Sequence, residues 1–329
     1  MSLQLDTRYS GRFTAASTDY PQGSFKNRTT ETSQDGSYFE KDWANDELGF
    51  RSAILNAVGA TANGDVDTAA SSQVFDALMQ IIRTNAIGVV GQSRNLKMTI
   101  STASATGTLT ADEIVVETSS GLQYRLKTFS NTINLATTGA GGMDTGTVPA
   151  TGFVAIYAIY NPTTDVSALL AVNATSVVVP EIYGGANMPS DYTASALLTV
   201  LPTASSQFPM LAVQGRSVST ASTSVIAGSA APGSVTSQVV TAIPLNSVSV
   251  DLTSTIGITA NDTTGVFSIA PASTLVGARR STLGASGTGG TISVTSNMSL
   301  PILTNSRTFY WQITSATLSY GVTTMGYQI

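Results

Sequence analysis

Phe153-Val154-Ala155-Ile156-Tyr157-Ala158-Ile159-Tyr160 is the longest unbroken apolar run of the chain, and Asn161-Pro162 ends it. Eight residues rich in aromatic and β-branched side chains are too few for a buried helix and suit a strand covered on both faces. Beyond it, Val166–Val172, Ala196–Leu201 and Met210–Val213 continue the series of strands. Upstream, from Gly91, the period is two: Leu96, Met98 and Ile100 alternate with polar residues, as do Leu122, Tyr124 and Leu126. Ile114-Val115-Val116 followed by Ser119-Ser120-Gly121 reads as a strand entering a hairpin with Leu122–Leu126. Downstream, strands are expected at Ser247–Leu252, Val266–Ile269, Thr291–Val294, Arg307–Ile313 and Thr317–Tyr327. No fixed-period repeat is present, which argues against a solenoid.

Helical spacing is confined to the N-terminal region. Trp43, Leu48, Ile54, Leu55 and Val58 recur at helical intervals up to Gly59, a candidate C-terminal cap. After turn residues 60–65, a second helix places Val74, Phe75, Leu78, Ile81 and Ile82 on one face, with Asp67 or Ser71 as its N-cap. Residues 216–238, nearly free of large apolar side chains, read as a Ser/Thr/Ala/Gly-rich linker. The expected fold is mainly β with a small N-terminal α-helical hairpin. Its divisions are residues 1–90, a β-rich domain at 91–215, the linker, and a C-terminal β-domain at 239–329, with both β-domains sandwich-like.

Composition narrows the chemistry. The 329 residues include no Cys and no His. That excludes thiolate nucleophiles, histidine bases, disulfides and nearly all zinc, copper or haem ligation. No cofactor is expected. A net charge of −5 argues against nucleic-acid binding, and no apolar run is long enough to cross a bilayer as a helix. The N-terminus lacks the pattern of a secretory signal. Only 11% of residues are charged, and 25 of the 35 charges fall in residues 1–128. So neutral a β-region calls for burial of its surface between subunits or for a hydroxyl-rich exterior.

Asn63-Gly64-Asp65-Val66-Asp67 starts like a calcium loop, but the sixth and twelfth positions hold Thr68 and Val74, so a helix–helix turn is expected. Gly139-Ala140-Gly141-Gly142 leads to Met143-Asp144 rather than Lys-Ser/Thr, so it is a loop requiring positive φ and not a phosphate cradle. A polysaccharide hydrolase would need two convergent carboxyls, for which Asp144, Asp165, Glu181 and Asp191 are candidates beside turn residues. Phe309-Tyr310-Trp311 places Tyr310 and Trp311 on opposite faces of a strand. The plainer reading makes one face core and the other a subunit interface; the functional one makes either aromatic a candidate for stacking on a sugar, with Arg279 and Arg280 as anion contacts. The Gly284–Gly290 loop and the Asn261-Asp262 turn are candidate adaptable segments. Trp43, among Lys41, Asp42, Asn45 and Asp46, is expected to pack between the helices, or to anchor a docking interface.

Two blocks carry a family resemblance. One comprises Tyr20-Pro21-Gln22-Gly23-Ser24-Phe25-Lys26-Asn27, Glu40-Lys41-Asp42-Trp43-Ala44-Asn45-Asp46, Leu48-Gly49-Phe50, Ala62-Asn63-Gly64 and Asp67-Thr68. The other comprises Ser93-Arg94-Asn95-Leu96-Lys97-Met98, Ala111-Asp112-Glu113-Ile114-Val115-Val116, Thr137-Thr138-Gly139-Ala140-Gly141-Gly142-Met143-Asp144 and Tyr157-Ala158-Ile159-Tyr160-Asn161-Pro162. Both resemble tail-fibre-like proteins of bacteriophages and prophages. The resemblance implies an elongated homotrimer located in the virion, in a phage tail appendage. Residues 1–90, with Trp43 and Phe50 as docking candidates, would meet other tail or baseplate proteins. The C-terminal part would face host surface polysaccharide without catalysis. A collar or baseplate fibre that never touches the receptor is the alternative within the same class.

Overall fold

The computed structural model describes residues 3–39, 41–84, 88–258, 264–284, 292–303, 306–314 and 318–329. It divides into two compact units, Met1–Ala86 and Ile87–Ile329, so the first boundary lies just before the expected one at 90. The fold is mainly β.

In the first unit, α1 (Leu5–Arg8) and the antiparallel pair β1 (Phe13–Thr14) and β2 (Ser24–Phe25) precede α2 (Lys41–Ala57) and α3 (Gln73–Thr84). The chain leaves α2 through the expected cap at Gly59. The Ala60 N–H reaches the Leu55 carbonyl and the Gly59 N–H the Asn56 carbonyl, each at 3.0 Å, which satisfies the last orphan acceptors. The N-cap of α3 is Ser72 rather than Ser71. Its Oγ accepts from the Phe75 N–H at 3.1 Å, while Asp67 accepts from the Gln73 N–H at 2.9 Å. The apolar residues of α3 do not share one environment as expected. Ala77 is buried and Val74 and Ile81 half-buried, whereas Phe75, Leu78 and Ile82 stand exposed.

The second unit starts with β3 (Ser93–Arg94), β4 (Lys97–Ile100), β5 (Thr106–Thr118), β6 (Gln123–Asn134), β7 (Thr151–Asn161) and β8 (Val166–Asn173). β9 (Ala194–Ala204), β10 (Leu211–Gln214), β11 (Ser217–Gly228), β12 (Thr236–Val239), β13 (Ser249–Ile258) and β14 (Thr264–Ala270) follow. β15 (Arg279–Gly284), β16 (Ile292–Pro301), β17 (Thr308–Thr314) and β18 (Leu318–Gln328) complete it. A 12-stranded sheet runs β16-β13-β18-β11-β10-β4-β5-β9-β7-β8, with β3 and β6 also on β5; a second sheet has the order β12-β17-β14-β15.

β7 lies between β8 and β9, and Val154 to Ile159 are at most 1% exposed, as a strand covered on both faces requires. The Gly-rich loop ties β6 to β8. Asn134 N–H donates to the Gly141 carbonyl and Gly141 N–H to the Leu169 carbonyl, both at 2.7 Å, with φ of +88° at Gly139 and +84° at Gly141. The four-stranded sheet packs over the far end of the large one. Ser254 and Ser281 share a buried hydrogen bond at 2.9 Å, and the Trp311 ring meets Tyr320 of β18 at 5.2 Å. This part is a β-sandwich.

Two expectations are corrected. Residues 216–238 are not a linker: β11 fills most of the span, paired to β10 on one side and β18 on the other. Ser and Thr suit a pleated strand when two neighbours complete its ladder, so large apolar residues are not required. Consequently 91–215 and 239–329 are not consecutive domains. β18 joins them in one sheet, and the Tyr327 hydroxyl donates to the Val200 carbonyl of β9 at 2.6 Å.

Gly326 tests this junction, because a Cβ there would lie 2.4 Å from the Val218 backbone oxygen. Gly326→Ala is expected to destabilise the second unit by about 2 kcal/mol or more, whereas Gly233→Ala, with open space around it, changes stability by less than about 0.5 kcal/mol. Urea unfolding of the two variants compares them directly.

Candidate functional site

The four-stranded sheet carries the predicted contact residues, and its register separates them. Arg280 lies opposite Ser268, Ser268 opposite Gln312, and Tyr310 opposite Ala270. Alternation puts Arg280 and the half-buried Tyr310 on the outer face, with Cα atoms about 12 Å apart from strand spacing and rise. Trp311 is on the inner face, 6% exposed, with Phe267 at 5.9 Å. A sugar cannot stack on it, so the stacking role considered for Trp311 is corrected: its ring fills the sandwich core. Arg279 sits in the Trp311 row but is exposed at the start of β15. Neither Arg279 nor Arg280 forms an ion pair among the described residues. The Asn261-Asp262 turn, and the Gly284–Gly290 loop beyond Gly284, lie outside the described residues.

In the first unit, Trp43 is half-buried and does not use α3 as its aromatic partner. Its ring meets Phe39 at 4.7 Å and Phe25 at 5.8 Å, both edge-on, so it pins the N-terminal segment to α2. Phe50 is 59% exposed on α2, and Leu48 62%. The exposed row Phe75, Leu78 and Ile82 was missed, because apolar spacing alone does not tell which part of a wide apolar arc the partner helix covers.

The four acids considered for hydrolysis are each engaged. Arg216 holds Glu181 with both guanidinium nitrogens and also donates to the Leu197 carbonyl at 2.9 Å. Tyr183 donates to Asp144 at 2.9 Å, Tyr160 to Asp165 at 2.7 Å and Ser190 to Asp191 at 3.2 Å. Beside them, Tyr157 donates to the Pro180 carbonyl at 2.6 Å. Burial, followed by the hydrogen bond to Asp144, pushes the Tyr183 phenol up to about 12. Burial first and Glu181 second raise Tyr157, and burial alone raises Tyr327.

No family model and no curated protein matches this chain. Among solved structures, a chain of the T13 viral particle of IBDV is 9% identical with a TM-score of 0.21, covering 85% of this chain and 74% of that one. A chain of the infectious bursal disease virus Gx strain structure is 9% identical with a TM-score of 0.20, covering 73% and 69%. At these scores the likeness carries no conclusion about function.

The phenols make stability fall in alkali. Each is protonated more tightly when folded than at its ordinary value of 10.0, so the folded state binds more protons above that pH. Their contribution is constant through neutral pH and is lost as pH rises from about 10 toward the folded values. Urea midpoints should therefore drop above about pH 10, with tyrosinate absorbance appearing together with unfolding. Full ionisation of all tyrosines in a folded protein would contradict this.

Proposed function

We propose that this protein is a non-enzymatic structural component of a virion: a tail fibre of a phage tail appendage, homotrimeric, docked on other tail or baseplate proteins through its first unit. The observation that carries the reading is the apolar surface of that unit. Among the described residues, 10 of 20 exposed large apolar side chains belong to residues 1–86, whose buried apolar core is Leu5, Phe13, Ile54 and Ala77. A unit that leaves Phe39, Leu48, Phe50, Phe75 and Ile82 in water while burying so little has the composition of an interface core. Its partner supplies the missing cover. The phage assignment itself rests on the sequence resemblance. The exposed Arg280 and the half-buried Tyr310 supply the candidate host-polysaccharide contact.

Phe50→Ser combined with Phe75→Ser should leave the second unit folded and abolish incorporation into particles; variants that still incorporate refute the docking role. Light scattering should give three times the 33.8 kDa chain mass. A stable monomer refutes the trimer.

A further inference from the structure

A groove of about 690 Å³ lies on the outer face of β4, β5 and β6, where Ser93–Met98 and Ala111–Val116 of the second quoted block meet. Arg94, Lys97, Asp112, Glu113, Lys127 and Thr128 line it. Its origin is a slip in the alternation of two paired strands. On β5 the buried residues Ala111 and Ile114 are three apart, and so are their partners on β6, Phe129 and Leu126. Strict alternation would turn one of Asp112 and Glu113, and one of Lys127 and Thr128, into the core. Instead Asp112, Lys127 and Thr128 are exposed and Glu113 is half-buried. Thr128 has φ +52° and Asn95 +56°. A β-branched residue in that region is held there by its surroundings, and such strain gathers where a strand presents side chains to a ligand.

The charge pattern gives the ligand class. Three of the eight basic residues between 88 and 329 line this groove, Arg94, Lys97 and Lys127, and Arg125 pairs with one of its acids, against two of nine acidic ones. Asp112 accepts from the Asn95 amide at 2.6 Å and lies 3.6 Å from the Arg94 Nε; Glu113 lies 3.7 Å from the Arg125 Nε. The acids therefore have partners, while Lys97 and Lys127 form no ion pair among the described residues. Lys97 pairs with Thr110 and Lys127 with Glu113, which puts the two lysine Cα atoms about 14 Å apart by strand spacing and rise. That separation suits two anionic groups along one chain. Thr110 and Ser130, also in the lining, offer hydroxyls between the lysines.

We infer that this groove binds an acidic polysaccharide, with Lys97 and Lys127 on separate carboxylate or phosphate groups and the Thr and Ser hydroxyls on sugar hydroxyls. The inference rests on the proposed function only for the origin of the polymer, a host surface, and it lies on a different sheet from Arg280 and Tyr310. Calorimetric titration of the full chain at low salt, with oligogalacturonate and with neutral dextran oligomers, tests it. Oligogalacturonate should bind and dextran should not. Lys97→Gln combined with Lys127→Gln, both at exposed positions, should keep the wild-type circular dichroism and weaken binding about tenfold or more. Arg28→Gln combined with Arg51→Gln, at exposed positions of the first unit, should leave it unchanged. Absent oligogalacturonate binding, equal dextran binding, or loss only in the arginine variant overturns the inference. Binding here by a wild-type chain that is never found in particles would refute the proposed function and leave this site standing.

Discussion

Everything in the second unit depends on the double pairing of β18. This strand completes the backbone hydrogen bonds of β11 on one side and β13 on the other, so it joins the sheet around β7 to the sandwich at the far end. A strand in that position has no free edge, and its buried Tyr327 adds a hydroxyl bond to β9. Neither half could lose β18 without exposing a row of unpaired N–H and C=O groups, which is costly wherever water cannot replace the partner.

That continuity explains how so neutral a chain holds a large core with few ion pairs. The four salt bridges among the described residues are all at least partly exposed and contribute little each. Stability comes from apolar burial and from ladders whose outer faces are hydroxyl-rich. Charges are then scarce enough that where they gather carries information. The groove over β4, β5 and β6 stands out for that reason, as do the arginines of β15, which form no ion pair among the described residues.

Much of this was legible in the sequence and some was not. β7 could be read because its burial leaves an unbroken apolar run, and the β5–β6 hairpin because its turn and alternation coincide. Gly59 could be read because a helix cap has a local signature. β11 could not, since its stability lies in its neighbours rather than in its Ser and Thr side chains. The faces of β17 could be separated by alternation, but only the second sheet decides that Trp311 is the inward one. On α3, spacing showed an apolar arc without showing that α2 covers half of it. The groove escaped notice because slipped alternation on β5 and β6 looks like noise until the strands are paired, although Asp112-Glu113 and Lys127-Thr128 are its visible trace.

Native-state hydrogen exchange of the full chain tests the single-sheet account most directly. Amides of Val154–Ile159 in β7 and Val322–Tyr327 in β18 should exchange through one opening, with the same free energy and the same dependence on denaturant. Exchange of β18 through a lower-energy opening that leaves β7 protected would contradict the account, returning the region to two separate domains.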